Sequence, residues 1–130
     1  MSKAKLKYIG EVLPAIKAII GYTGNASIYM STGLRAHIIK RHPECVRYIQ
    51  DIETIVTAPD YVGKNPNEAG TSFEIVKSLD QNIQIGVKLT SEADYFYIST
   101  LHIITAAKVS KYVASGRLTA LTRNRKSNKI

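Results

Sequence analysis

The order of apolar and polar positions divides the chain into two kinds of segment. From Tyr8 to Ile20 (YIGEVLPAIKAII) the chain is apolar with a proline inside, which predicts a short strand or turn to Leu13 and then a helix opened by Pro14. Tyr22 to Asn25 reads as a loop, and Ser27 to Met30 as a strand, because Ile28 and Tyr29 favour a pleated surface. Ser31 or Thr32 is positioned to cap a helix whose stripe runs through Leu34, Ile38 and Arg41. Pro43 closes it and can open the next helix, where Val46, Ile49, Ile52 and Val56 recur at steps of three or four. Ala58-Pro59-Asp60 stops that helix, and Gly63 to Thr71 is a loop by composition.

Beyond Thr71 the period changes to two. Phe73, Ile75, Lys77 and Leu79 share one face of a strand, and Ile83, Ile85, Val87 and Leu89 one face of a second. A third runs from Tyr95 to His102, with Tyr95, Tyr97 and Ser99 on one side and Phe96, Ile98, Thr100 and His102 on the other. Short polar connections at Asp80–Asn82 and Thr90–Asp94 make these three an antiparallel meander. Residues 103–115 read as a helix ending near Gly116. Helices followed by a sheet predict an α+β fold: N-terminal helices on a small antiparallel sheet, then a C-terminal helix and a basic tail. The length fits one domain, drawn as 1–116, with 117–130 a flexible basic tail.

Charge sharpens this picture. The net charge is +8, yet residues 1–94 hold eleven Lys/Arg and all ten acids, while residues 95–130 hold seven Lys/Arg and no acid. Such asymmetry points to a polyanion, RNA first, although a basic segment also serves solubility alone. One cysteine, Cys45, excludes an internal disulfide, and no apolar run approaches the ~18 residues of a membrane span. A cytoplasmic protein with no membrane partner is the expectation. Neither a P-loop nor a G-x-G-x-x-G motif is present, which argues against nucleotide-driven chemistry. His37 and His42 stand five apart and so do not form an i, i+4 ligand pair; no metal and no cofactor are expected.

The densest chemistry in the sequence is Arg35 to His42 (RAHIIKRH), which sets Arg35, His37, Lys40, Arg41 and His42 within about two helical turns. It could bind a phosphate beside a general base, or simply be a solvated face. Lys77 lies on a face its neighbours would bury, so it either snorkels at an edge or reaches into a cleft. Lys88 defaults to solvent. Tyr97 and its aromatic neighbours could stack on bases, although such residues more often form ordinary cross-strand pairs.

The blocks HIIKRHPE (His37 to Glu44) and IETIVTAPDYV (Ile52 to Val62), a lysine-bearing strand, and YISTLH (Tyr97 to His102) together resemble the phage and mobile-element nuclease domains of the barnase–EndoU–colicin–RelE (BECR) superfamily. The likeness runs from about Tyr8 to Lys111. It implies an α+β fold and a metal-independent endoribonuclease that forms a 2′,3′-cyclic phosphate, in the manner of a toxin or effector, for which an inhibitor protein is a further partner. By resemblance His37 and His42 hold the motif's histidine positions, Lys40 its basic position, Asp60 its P-D position and Thr100 its late-strand hydroxyl, with Lys77 a less certain match. The catalytic set implied is His37, Lys40, His42, Lys77 and Thr100, with Arg35, Arg41, Asp60, Lys88 and Tyr97 on the substrate. A non-catalytic RNA- or DNA-binding module is the alternative.

Overall fold

The computed structural model describes residues 6–24, 26–64, 71–90 and 95–121. Its strands are β1 (Leu6–Glu11), β2 (Ser27–Ser31), β3 (Tyr61–Gly63), β4 (Phe73–Ser78), β5 (Asn82–Leu89), β6 (Phe96–Ile104) and β7 (Leu118–Ala120). The helices are α1 (Pro14–Ile20), α2 (Gly33–Arg41), α3 (Ile52–Thr57) and α4 (Ala106–Ser115), with a 3-10 stretch over Pro43–Asp51 between α2 and α3. The fold is α+β in broad terms, but the sheet is not small. Among the described residues seven strands join in the order β1-β2-β6-β5-β4-β3-β7, and β2–β6 is the one parallel pairing.

The expected meander is the centre of this sheet, as β4, β5 and β6. The 3-10 stretch replaces the first half of an expected α-helix: Pro43 cannot donate a backbone N–H, and Cys45 N–H closes a short turn onto His42 carbonyl instead. Tyr61–Gly63 is a strand, and it takes in Gly63, where the loop to Thr71 was expected to begin. It is short, and its pairing partners lie far away in sequence, at β4 and β7. A Cβ on Gly63 would collide with the Arg117 carbonyl, so glycine there lets β7 close against β3. Strand β7 thus carries the sheet past the boundary drawn at residue 116, and residues 122–130 lie outside the described residues.

The sheet's two faces are unequal. On the inner face Phe73, Ile75, Ile83, Ile85, Val87, Phe96 and Ile98 join one core with Ile16 and Ile20 of α1, Leu34 and Ile38 of α2, and Ile52, Ile55 and Val56 of α3. The outer face carries α4, held by a second cluster of four buried side chains among the described residues: Val76, Ile104, Val109 and Leu118. At about 1.5–3 kcal/mol gross for each well-buried aliphatic side chain, that smaller cluster secures far less than the inner core. Polar contacts must complete the attachment of the α4–β7 unit, and a cleft stays open beside α4.

Candidate active site

Cross-strand register builds the floor of this cleft. On the outer face Glu74, Gly86 and Thr100 lie side by side across β4, β5 and β6, and Val76, Gln84 and His102 form the adjacent row. The cleft encloses about 470 Å³, and Lys88, Ser99, Thr105, Lys108, Tyr112 and Arg117 complete much of its lining.

A β-bulge puts two hydroxyls there together. Gly86 pairs with Thr100 and Val87 with Ile98, so Ser99 is an extra residue on β6. Ile98 and Leu101 therefore both face the inner core, while Ser99 and Thr100 both line the cleft. The expected alternation put Thr100 with Phe96 and Ile98, and the bulge is why it fails. Ser99 Oγ donates to Gly86 carbonyl at 3.1 Å, and a Cβ on Gly86 would meet Thr100 Cγ2 at 2.9 Å. The mid-strand glycine of β5 is thus a condition of the bulge opposite it.

His102 is half-buried, and its imidazole pKa is pushed below the usual 6.5. Burial is the main cause, followed by the neighbouring His42; Lys108 adds to the effect, and the carboxylates of Glu74 and Glu44 oppose it. The neutral ring, able to accept a proton, is the favoured form. The His42 ring centroid lies 5.8 Å away. His42 caps the C-terminus of α2, where the turn into Pro43 carries it to β6; its Nδ1 is 4.0 Å from Glu44 Oε2. The far wall is a mostly buried ion pair: Arg117 Nη2 donates to Glu74 Oε2 at 2.8 Å and Nε to Oε1 at 3.3 Å, a two-pronged clamp. The same guanidinium lies 4.1 Å over the Tyr112 ring. On the floor, Gln84 is 5% exposed and its Oε1 has no hydrogen-bond partner. A buried acceptor without a donor costs about 1–3 kcal/mol, and a ligand donor entering the cleft would remove that cost.

The residues singled out from the sequence divide between two sides of the sheet. Thr100 and Lys88 line the cleft, Tyr97 pairs with Lys88 on the same face, and His42 reaches it through His102. Lys77 does not. It stands on the inner-face side of β4, where its Nζ donates to Ala58 carbonyl at 2.7 Å and lies 3.9 Å from Asp60 Oδ1. Asp60 in turn accepts from the Ser78 N–H at 2.9 Å, so the two residues tie the turn after α3 to β4. Arg35, His37, Lys40 and Arg41 are exposed on α2 and are not part of the cleft lining. Sequence reasoning missed His102, Gln84, Ser99, Glu74, Lys108 and Arg117 as a group. The signals were an isolated glycine in β5 and a step of three, Ile98 to Leu101, inside a strand of period two. Nothing local could join Glu74 to Arg117, forty-three positions away.

The arrangement offers a histidine pair for proton transfer, cations and hydroxyls for a phosphate, and a buried acceptor for a ligand donor. Among the described residues no group of three His, Cys, Asp or Glu side chains could hold a metal ion, and no helix is long and apolar enough to cross a membrane. A family model described as phage-Barnase-EndoU-ColicinE5/D-RelE like nuclease 3 matches residues 7–111, from within β1 to within α4. No curated protein and no solved structure matches the chain.

Proposed function

We propose, from the premise that this chain belongs to the phage-Barnase-EndoU-ColicinE5/D-RelE like nuclease family, that it is a metal-independent endoribonuclease working in the outer-face cleft. The observation that carries this reading is the His42–His102 pair beside a cleft lined by Lys88, Ser99, Thr100, Lys108 and Arg117. His102, held neutral by burial, takes the proton of a ribose 2′-hydroxyl. The 2′-oxygen forms a bond to the adjacent phosphorus as the bond to the 5′-oxygen breaks, and His42 protonates that leaving oxygen. The products are a 2′,3′-cyclic phosphate and a 5′-hydroxyl end. Lys108 and Arg117, with the hydroxyls of Ser99 and Thr100, offset the negative charge that builds on the phosphoryl oxygens. Lys88 and Tyr97 bind the chain as it leaves the cleft. His37, Lys40, Arg35 and Arg41 supply attraction to the polyanion from α2, while Lys77 and Asp60 act through the fold. A deoxyribose has no 2′-hydroxyl, so this mechanism takes RNA and leaves DNA intact.

The test is incubation of the purified protein with RNA in the presence of EDTA, with the ends of the fragments identified. Cyclic-phosphate and 5′-hydroxyl ends that vanish in both His102→Ala and His42→Ala are expected. Intact RNA, or cleavage unchanged in His102→Ala, overturns the reading; binding that weakens steeply with salt but never leads to cleavage would make the protein an RNA-binding module. The same activity accounts for a toxin or effector role: expression of the wild type should arrest growth, and expression of His102→Ala should not. An inhibitor protein is the partner such a role calls for.

A further inference from the structure

The outer face continues past the cleft as a line of aromatic rings. Register sets Lys88 of β5 opposite Tyr97 of β6, Tyr97 opposite Tyr29 of β2, and Tyr29 opposite Tyr8 of β1. Their neighbours along each strand, Val87, Phe96 and Ile98, Ile28, and Ile9, belong to the inner core, so the four side chains share the outer face. Three inter-strand spacings of about 4.8 Å make the row about 14 Å long. The rings steady one another. Tyr8 meets Tyr29 edge to face with centroids 5.6 Å apart, and Tyr95 meets Tyr29 in the same way at 5.2 Å. Tyr8 is 51% exposed, and Tyr29, Tyr95 and Tyr97 are half-buried.

Three tyrosines in register with a lysine are not needed for the core, which lies on the other side of the sheet. Their chemistry suits a single strand: flat π-surfaces for bases beside a cation for the backbone. Such rings lose little conformational freedom when they bind, because two side-chain torsions are already limited by packing. Glu11 meets the row at the sheet's edge, where it accepts from Tyr8 Oη at 2.5 Å and from Ser27 Oγ at 3.1 Å. We propose that Tyr97, Tyr29 and Tyr8 form a stacking track for about two or three bases of single-stranded RNA, entered over Lys88 from the cleft and leaving at β1. The track rests on the reading of the cleft as an RNA site and extends it. It makes unpaired RNA longer than the cleft itself the preferred substrate, and it leaves duplex RNA, whose bases are not free to stack, disfavoured.

The test compares a dinucleotide, which fills only the cleft, with single-stranded oligonucleotides of about ten residues and with a duplex of the same length. Turnover is measured by kcat/KM, and binding by the change in tyrosine fluorescence of a His102→Ala background, which is open to this measurement because the chain has no tryptophan. Tyr8→Ala and Tyr29→Ala should each weaken the long single strand by about five- to a hundredfold, the loss of one stacked base. Dinucleotide turnover should be unchanged, and Tyr8→Phe and Tyr29→Phe should behave as wild type, because stacking needs the ring and not the hydroxyl. Equal binding of the long strand by Tyr8→Ala and wild type overturns the track and leaves the surface to a protein partner. Equal losses on dinucleotide and long strand overturn it too, because the variants would then act through the fold. Failure of dinucleotide cleavage by the wild type would count against the catalytic reading alone, while length-dependent, tyrosine-dependent binding would still sustain the track.

Discussion

Helix α2 and the outer face of β5–β6 both carry basic and imidazole groups, but they hold them under different conditions. Arg35, His37, Lys40 and Arg41 crowd one short helix, and all four are exposed to water. The cleft lines up as many cations, Lys88, Lys108 and Arg117, beside the carboxylate of Glu74, and its surroundings confine two of these four groups. Glu74 and Arg117 face each other with side chains 10% and 17% exposed, and the imidazole of His102 is desolvated enough to lower its pKa. Water and salt screen a charge on a solvated helix, so its attraction for a phosphate is weak and fades within a Debye length. A group held beside a low-dielectric floor keeps its interactions, and its protonation state can be set by neighbours. Charge density along the sequence therefore marks where cations stand in water, while confinement in space marks where a protonation state can be set by neighbours.

The sharpest way to break this comparison is to exchange the histidines' fates. His102→Ala should lower kcat/KM for RNA by about 10²–10⁴-fold, the contribution of one positioned proton-transfer group. His37→Ala should change it by less than about threefold. The assay is RNA cleavage in EDTA with folding checked by circular dichroism. If His37→Ala is the damaging variant, catalysis belongs to α2 after all.

Next in size is Arg117→Ala, which strands the Glu74 carboxylate beneath α4. Removing one partner of a buried pair costs about 3–5 kcal/mol, and this pair joins β4 to the segment between α4 and β7. Urea denaturation should show that loss. Simultaneous Glu74→Gln and Arg117→Met should recover much of it, since neither charge is then left alone. Cleavage should stay impaired in the double variant, because the proposed phosphate site loses a cation. Full activity in that variant would reduce the pair to a structural clamp.

Gln84→Leu separates binding from folding at one position. It removes the unpartnered Oε1, so stability should hold or rise. Affinity for RNA should fall about two- to tenfold, the value of one well-placed hydrogen bond from the ligand, at about 0.5–1.5 kcal/mol. Loss of stability with unchanged affinity would mean that the amide serves the protein's own packing.

The pH dependence is smaller and has a definite sign. His102 has a folded pKa below the unfolded 6.5, so the unfolded chain binds the proton more readily. Stability contributed through this group is complete above pH 6.5 and declines as pH falls from there toward the folded pKa. With the neutral ring as the proposed base, the acid limb of kcat/KM should likewise have its midpoint below 6.5. Lys108→Ala and His42→Ala each remove a neighbour that lowers this pKa, so each should move the His102 titration upward in an NMR experiment. A midpoint at or above 6.5 in the wild type would contradict the burial of His102.

How far these groups were legible follows from what periodicity can record. The meander of β4, β5 and β6 is written in alternation, and α1 and α2 in their prolines and apolar stripes, so these elements could be read directly. A bulge interrupts alternation without announcing which face gains a residue, and the placement of Thr100 failed there. Lys77 kept the inner-face parity its neighbours Phe73 and Ile75 imply. Its end is a carbonyl at the turn after α3, which no pattern could show. The short strands β3 and β7 find each other across more than fifty residues, and the Glu74–Arg117 pair depends on that closure. His102 was visible as a letter in a strand, but its burial beside His42 exists only once α2 turns at Pro43 against β6.

The smallest expected effect bears on the exposed side of the comparison. Each cation that neutralises a phosphate of a single strand steepens the fall of log K with log salt by about 0.7. Lys88→Ala, at the start of the tyrosine row, should reduce that slope by about this amount. If α2 attracts RNA only from a distance, Arg35→Ala, Lys40→Ala and Arg41→Ala combined should reduce it by less than 0.7. Association should still slow at low salt, since steering acts beyond contact and fades within a Debye length of about 8 Å at physiological salt. Slopes measured by titration from roughly 50 to 200 mM salt distinguish the two cases. A reduction near 2 for the triple variant would place α2 directly on the RNA backbone. The strand would then have to bend around the edge of β6, past His42, to reach both α2 and the cleft.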